Sequence, residues 1–362
     1  MRLGIFHMGN VSLAARTFLR ELKVEIVIPP PNSGTTLSLG TRYSPETACL
    51  PYKLILGNFL QDLEMGADTL IMVTSTNVAC RMGYYARSMK GTLEDLGYKF
   101  EMIVPGDSER GLVNLLRFIK RRANNVSWLK LISSFRFGLA KLSALDHLEQ
   151  LVHRMRAVEK TKGMVNRLFQ EAQEAIDQAE TWASLKELEK EYADRLTALP
   201  QDPQAQPLLV GVVGETYVLM DPFASRDLES ELGKLGVEVR RRNFASRWLR
   251  PGVVSSGWKE EAHRAALPYL KRSVGGEGWE SVGEKVLCSQ DYDGMVHLLP
   301  FTCMPEIIAQ NILPSVKEDI PVLTLICDEQ TGKQGMLTRL EAFVDLLHRR
   351  RQRKKDESLS RC

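Results

Sequence analysis

Three of the six cysteines lie where a thiol could become a metal ligand. Cys49, Cys80 and Cys303 each fall in a predicted loop just before a predicted helix, and Pro51 and Pro305 are typical of first helical turns. The unpaired N–H groups and the dipole at a helix N-terminus stabilise a thiolate, and they would also stabilise an anionic cluster. The three cysteines form no compact paired motif, so position alone leaves metal ligation, redox chemistry and simple burial open.

The other cysteines are weaker candidates. Cys327 ends a predicted strand and could reach the same site, whereas nothing in the surroundings of Cys288 and Cys362 indicates ligation. We expect the chain in the cytoplasm, where reducing conditions disfavour structural disulfides.

Several charged and aromatic residues close to the three cysteines are candidates for contact with a bound group or a substrate. Lys53 and Arg81 could offset negative charge or bind an anionic substrate, and each could equally be a surface side chain. Tyr84 could donate a hydrogen bond to a bound group or serve only in packing. Glu306, in a predicted first helical turn, could line the site or only complement the helix dipole.

The elements that must position these residues follow an alternating pattern. In residues 1–107, short apolar strands are predicted at 3–6, 24–28, 69–73 and 100–104, with helices at 12–22, 50–65 and 83–96. A second alternation places strands at 208–213, 237–239, 297–299 and 322–326, with helices at 227–235 and 338–349. Such alternation predicts parallel sheets covered by helices on both faces.

The middle of the chain differs from both alternating regions. No proline occurs between Pro105 and Pro200, and apolar residues recur there at spacings of three and four, as in amphipathic helices. We predict an α/β protein with two Rossmann-like lobes joined by a long helical segment, and a ligand site in the crevice at the carboxyl ends of the strands. The predicted divisions are an N-terminal lobe (1–107), a helical segment (108–199), a linker (200–207), a C-terminal lobe (208–348) and a basic tail (349–362).

Bulk composition narrows the functional classes. The 362 residues are 44% hydrophobic and 26% charged, as in an ordinary globular protein, and the formal net charge of +3 is too small to indicate a nucleic-acid partner. No apolar run approaches the roughly 18–20 residues of a membrane span, and residues 1–6 lack the apolar core of a signal peptide. No G-x-x-x-x-G-K-[ST] phosphate loop is present, so ATP hydrolysis by this chain is not expected.

The residues around the cysteines resemble a known family. They are similar to the cysteine-containing subunits (D-component) of 2-hydroxyacyl-CoA dehydratases, and more closely to the relatives called CoA protein activases or double-cubane cluster proteins. The stretches that carry the likeness are Pro31-Asn-Ser-Gly-Thr-Thr36, Tyr43-Ser-Pro-Glu-Thr-Ala-Cys-Leu-Pro-Tyr-Lys53, Cys80-Arg-Met-Gly-Tyr-Tyr85, Gly214-Glu-Thr-Tyr217, Pro300-Phe-Thr-Cys-Met-Pro-Glu306, Asp328-Glu-Gln-Thr-Gly332 and Thr338-Arg-Leu-Glu-Ala-Phe343.

The resemblance implies an iron–sulfur protein of anaerobic metabolism. In that family three cysteines hold a [4Fe-4S] cubane and leave one iron without a cysteine, and some relatives hold an [8Fe-9S] double cubane. The implied ligands here are Cys49, Cys80 and Cys303. The implied partners are a separate ATP-dependent iron–sulfur activator, which supplies low-potential electrons, and a related subunit in a homo- or heterodimer.

Three functions follow as hypotheses. The first is a cluster-bearing redox protein that accepts electrons from the activator. The second is a dehydratase subunit that acts on a 2-hydroxyacyl-CoA. The third is a non-enzymatic scaffold whose cysteines are structural or bind zinc.

Overall fold

The chain is an α/β protein with two Rossmann-like parallel-sheet lobes, as the alternating pattern predicts. The computed structural model describes residues 1–72, 80–105, 111–123, 125–248 and 257–360. In the N-terminal lobe the strands are β1 (Arg2–Gly4), β2 (Glu25–Val27), β3 (Thr69–Ile71) and β4 (Glu101–Ile103). In the C-terminal lobe they are β5 (Leu208–Gly214), β6 (Val237–Arg240), β7 (Gly294–Pro300) and β8 (Val322–Cys327).

The two sheets share one topology. The strand orders are β2-β1-β3-β4 and β6-β5-β7-β8, and every pairing is parallel. In each lobe the first strand therefore lies between the second and the third. The chain leaves the first strand toward one edge of the sheet to form the second, and then crosses to the other side to form the third. Ligands of open α/β sheets bind at the carboxyl ends of the strands beside such a reversal.

Helices cover the sheets and connect the lobes. The helices of the N-terminal lobe are α1 (Asn10–Glu21), α2 (Gly34–Tyr43), α3 (Leu50–Glu64) and α4 (Met82–Asp95). The middle of the chain holds α5 (Gly111–Arg122), α6 (Trp128–Val158), α7 (Met164–Gln178) and α8 (Trp182–Thr197). The C-terminal lobe holds α9 (Thr216–Met220), α10 (Leu228–Lys234), α11 (Ala245–Trp248), α12 (Gly257–Ala266), α13 (Gly278–Cys288), α14 (Met304–Ile312) and α15 (Lys333–Ser360).

Helix α3 is the central element of the N-terminal lobe. Thirteen of its fifteen residues are buried, which marks a helix enclosed on all sides rather than one packed on a single face. Its neighbour α2 approaches it closely at two glycines: a Cβ on Gly40 would lie 1.6 Å from the Lys53 carbonyl oxygen, and one on Gly57 would lie 2.0 Å from the Thr36 oxygen. This close crossing fixes the position at which α3 begins.

A buried carboxyl accompanies this packing. Asp62 of α3 is completely buried, neither of its oxygens has a hydrogen-bond partner among the described residues, and burial raises its pKa to about 9. The side chain is therefore protonated at neutral pH, and it places no charge in the core.

The lobes share one hydrophobic core, while the middle helices build another. Residues of α3 and α4 pack in the same buried cluster as residues of β5, β7 and β8. Helices α6, α7 and α8 enclose a separate cluster around Leu145, Val165 and Leu185. The crevice between the sheets is thus closed at its base by apolar packing.

Several helices differ from the sequence prediction. Helices α2, α9, α11, α12 and α13 were not predicted, and α15 begins earlier than residue 338 and continues through the basic residues 349–355 to Ser360. Residue 73, which the third predicted strand included, lies outside the described residues. In the part of the chain that the structure describes, no helix combines the length and apolar character that a bilayer span requires.

Candidate metal centre

The three cysteines each precede a helix. Cys49 is the N-cap of α3, Cys303 is the N-cap of α14, and Cys80 lies two residues before α4. The first-turn N–H groups of Tyr52, Met82 and Glu306 interact with the thiols of Cys49, Cys80 and Cys303 respectively, and each lowers the pKa of its thiol. Each sulfur therefore lies beside backbone donors of the kind that stabilise thiolate or sulfide charge.

Cys80 and Cys303 occupy corresponding places in the two lobes. Cys80 follows β3 in the sequence and Cys303 follows β7, and these strands are third in the chain order of their own sheets. Thr302, directly before Cys303, has a φ of 66°, a conformation that a β-branched residue seldom adopts. The Thr302 hydroxyl donates to the Thr47 carbonyl oxygen of the other lobe at 2.9 Å, which is one contact that holds this turn.

Polar contacts between the lobes surround the cysteines. Arg81 donates to the carbonyl oxygens of Thr47, at 3.1 Å, and of Thr302. Lys53 is 3% exposed, and its Nζ lies 2.6 Å from Glu329 Oε1 after β8. Both sequence candidates therefore join the lobes, and the buried Lys53 is already neutralised by a carboxylate. Lys53 is therefore not the surface side chain that the sequence left open as an alternative, whereas Arg81 is exposed while it bonds to both lobes.

The two neighbouring tyrosines of α4 have different environments. Tyr84, the sequence candidate, is 72% exposed. The hydroxyl of Tyr85 lies 2.6 Å from Cys49 Sγ, and its ring packs edge-on against that of Tyr52 at 4.8 Å. Tyr85, rather than Tyr84, contacts a candidate ligand.

The three thiols share one electrostatic environment. Burial raises the pKa of Cys49 to about 11, and it also raises the pKa values of Cys80 and Cys303. The charge of Cys80 further raises the pKa of Cys49, and the charge of Cys49 further raises the pKa of Cys303. Cys49 therefore interacts electrostatically with both other thiols. Such thiols stay protonated unless a cation compensates the thiolate charge.

The three sulfurs do not all lie close together in the described part of the chain. Among the described residues, only Glu149, His153 and Glu229 bring three potential ligand atoms within 4.8 Å of one another, so the three sulfurs do not. Tetrahedral zinc with bonds of about 2.3 Å would place its sulfurs about 3.8 Å apart. A multi-iron cluster inserts its own atoms between the thiolates and suits a wider arrangement.

The Glu149–His153–Glu229 group is an ion network. Arg241 lies 2.6 Å from Glu149 and 2.8 Å from Glu229, and His153 lies 2.9 Å from Glu229. Although burial opposes ionisation, Arg241 and His153 hold the pKa of Glu229 at about 2. The guanidinium supplies the positive charge that a metal would otherwise provide.

Glu306 is buried in a polar triad next to Cys303. Its Oε2 lies 2.8 Å from both His297 Nε2 and Ser281 Oγ, and all three residues are at most 1% exposed. Its Oε1 is buried and has no hydrogen-bond partner in the part of the chain that the structure describes. The predicted role in complementing the helix dipole therefore does not account for the environment of this side chain.

The remaining described cysteines have separate environments. Cys288 ends α13, and its thiol donates to Glu284 at 3.3 Å. Cys327 is buried at the end of β8, and burial raises its pKa to about 12. Cys362 lies outside the described residues.

Sequence reasoning missed Glu215. Glu215 follows β5. Burial is the largest cause of the raised pKa of each of the three thiols, and the negative charge of Glu215 is a further cause. Gly214 before it has a φ of 136°, and a Cβ there would lie 2.0 Å from the Leu298 carbonyl oxygen. A glycine followed by an acidic residue at the end of a buried strand was the available signal.

The fold and the site define an α/β protein with two Rossmann-like lobes and three thiols at helix N-termini, of which those of Cys49 and Cys303 are buried. In comparisons with protein-family models and with curated proteins, no family model and no curated protein matches the chain. The chemistry of the site therefore rests on its own residues.

Proposed function

We propose that this chain is an iron–sulfur redox protein that holds a [4Fe-4S] cluster through Cys49, Cys80 and Cys303. The observation that carries the proposal is that these three thiols, from distant parts of the sequence, each lie at or just before a helix N-terminus in one of the two lobes, with Cys49 interacting electrostatically with both Cys80 and Cys303. The resemblance to the dehydratase and double-cubane proteins names the same three residues.

The residues present fit such a cluster. The donors are three thiols, which are the ligands that iron–sulfur clusters use. First-turn N–H groups lie next to each sulfur, and such donors stabilise charge on cluster sulfurs.

When bound, the cluster would supply one-electron redox chemistry. The chain's own residues would stabilise its thiolate ligands, because the Tyr85 hydroxyl can donate to Cys49 Sγ at 2.6 Å. Lys53 does not add a free positive charge, since Glu329 neutralises it. Burial of Cys49 and Cys303 disfavours an added electron, whereas the first-turn N–H donors and the Tyr85 hydroxyl favour it. The low potential is what the resemblance implies.

A low potential determines which partner can reduce the protein. We propose that a separate ATP-dependent activator delivers the electrons, as the resemblance implies. A double cubane would need more thiolates than these three, and we propose a related subunit as their source.

A reductive titration tests this function. Anaerobically prepared protein should show little reduction by dithionite, whereas titanium(III) citrate should add one electron per cluster and produce an EPR signal. The variant Cys303→Ser, prepared in parallel, should give no such signal. Zinc in place of iron, with no EPR signal under either reductant, would contradict the proposal and favour the scaffold hypothesis. A change of the EPR signal on addition of a 2-hydroxyacyl-CoA would indicate the dehydratase function.

A further inference from the structure

The first turns of helix α6 present large apolar side chains to solvent. Leu129 is 82% exposed, Ile132 is 47% exposed and Trp128 is 43% exposed. Because a helix turns by about 100° per residue, these three side chains and that of Arg136 lie within about 100° of one another, and we call them the α6 face. Leu131, on the other side of the helix, is completely buried in the core of the N-terminal lobe. Apolar side chains that are exposed together among polar ones are typical of an interaction surface.

The sequence around the α6 face is basic throughout. Residues 111–145 contain seven lysines and arginines and no aspartate or glutamate, although acidic residues make up 45 of the 362 in the chain. The ammonium of Lys120, from α5, lies 5.9 Å from the centre of the Trp128 ring, and Arg136 follows Ile132 by one helical turn. Among the described residues, neither Lys120 nor Arg136 forms an ion pair with a carboxylate. The α6 face therefore combines apolar surface with uncompensated positive charge.

The α6 face lies toward the edge of the N-terminal sheet that is opposite to the cysteines. Lys130, at the start of α6, pairs at 2.7 Å with Glu21, the last residue of α1, which leads into the start of β2. Arg122, the last residue of α5, pairs at 2.9 Å with Glu101, the first residue of β4. Both contacts are at the amino ends of the strands, whereas Cys80 follows the carboxyl end of β3. A partner at the α6 face therefore approaches the lobe from the side away from Cys80.

The positive charge of the α6 face selects among the possible partners. A second copy of the chain would bring the same cations together across a two-fold interface, and like charges in contact oppose association. The cores of protein interfaces are depleted in lysine, whereas here Lys120 lies over the exposed Trp128 ring. Tryptophan and leucine flanked by lysine and arginine are typical of helices that lie in the headgroup region of a bilayer, where the long basic side chains reach the lipid phosphates.

We propose that the α6 face binds the surface of an anionic membrane as a peripheral contact. Trp128, Leu129 and Ile132 enter the boundary between headgroups and acyl chains, and Lys120 and Arg136 contact the anionic headgroups. Binding of this kind requires no helix that spans the bilayer. The α6 face is separate from the three cysteines, so the proposal goes beyond the cluster-binding function and does not depend on it.

Co-sedimentation of the full chain with vesicles tests the proposal. The protein is mixed at low ionic strength with vesicles of phosphatidylcholine alone, or of phosphatidylcholine and phosphatidylglycerol in equal amounts. The wild type should sediment with the anionic vesicles and stay in solution with the neutral ones. Leu129→Glu should lower the affinity for anionic vesicles at least about tenfold, because it replaces an inserted apolar side chain by a charge of the same sign as the lipid. Leu267→Glu is the matched control, since Leu267 is 47% exposed in the C-terminal lobe, and it should bind as the wild type does.

A charge variant tests the electrostatic part separately. Lys120→Gln combined with Arg136→Gln should also weaken binding to anionic vesicles by about tenfold or more, and the remaining binding should depend less on salt. Both side chains are on the surface, so thermal unfolding of this variant and of Leu129→Glu should match that of the wild type.

Three results would overturn the membrane contact. The first is wild-type protein that stays in solution with anionic vesicles at low salt, or a Leu129→Glu protein that binds them equally well. The second is a wild-type dimer that Leu129→Glu dissociates, which would assign the α6 face to a second copy. The third is binding to polyglutamate but to neither kind of vesicle, which would indicate an acidic protein partner. Full iron in protein that gives any of these results would leave the cluster standing.

Discussion

Replacement of Cys49, Cys80 or Cys303 by serine is expected to remove most of the iron from anaerobically purified protein. A serine hydroxyl is not deprotonated near neutral pH and is a harder donor than a thiolate, so each variant loses one anchor of the cluster. Mutation of a residue that only supports a metal ligand typically lowers metal affinity about 10–100-fold. Loss of a ligand itself should lower the iron affinity by at least as much. Iron and sulfide per chain, measured with the wild type in parallel, give the result.

Two other cysteines provide matched controls. Cys288→Ser and Cys327→Ser replace buried thiols of the same lobe, and both variants should keep wild-type iron. Thermal unfolding of every variant separates loss of a ligand from loss of the fold. Full iron in all three ligand variants would exclude these cysteines as the metal site, and loss of iron in Cys327→Ser alone would move the site to the end of β8.

Gly40→Ala is expected to destabilise the protein by about 3 kcal/mol or more. The new Cβ would lie 1.6 Å from the Lys53 carbonyl oxygen, a backbone atom that cannot move without displacing α3. Overpacking a core typically lowers the free energy of unfolding by about 1–3 kcal/mol. Because the new Cβ would contact a backbone atom, we expect a loss at the upper end of that range. Because Cys49 caps α3, the displaced helix should also retain less iron at equal protein concentration.

Gly91→Ala in α4 is the control. No atom lies within 4 Å of a Cβ built on Gly91, so this variant should be neutral or more stable by up to about 1 kcal/mol. Denaturant unfolding of the two variants measures both effects. A Gly40→Ala protein as stable as the wild type would show that α2 and α3 do not cross as closely as the structure has them.

Most strands were predictable because they are apolar and largely buried, as in β3, β5 and β7. Apolar runs such as 208–213 are bounded by glycine and proline, and the observed strands fall within a few residues of each predicted one. Helix α2 was missed because glycine and threonine lower its local helix propensity. It forms through its packing against α3, which the local sequence does not reveal.

The candidate site was only partly predictable. Cysteine followed by proline marked two helix N-termini, but the meeting of the three thiols depends on how the lobes pack. The choice between Tyr84 and Tyr85 depends on the rotation of α4, since adjacent residues point about 100° apart on a helix. Glu215 lies far from every cysteine in the sequence, and the parallel pairing of β5 with β7 places it beside the strand that leads to Cys303.

The most direct test of the cluster is the content of iron and acid-labile sulfide per chain in wild-type protein purified without oxygen. The three-cysteine site predicts about four irons and about four sulfides per chain for a single cubane, with more of both if a double cubane is shared with a second subunit. Protein that contains neither iron nor sulfide, or that binds one zinc ion at these cysteines instead, would contradict the account.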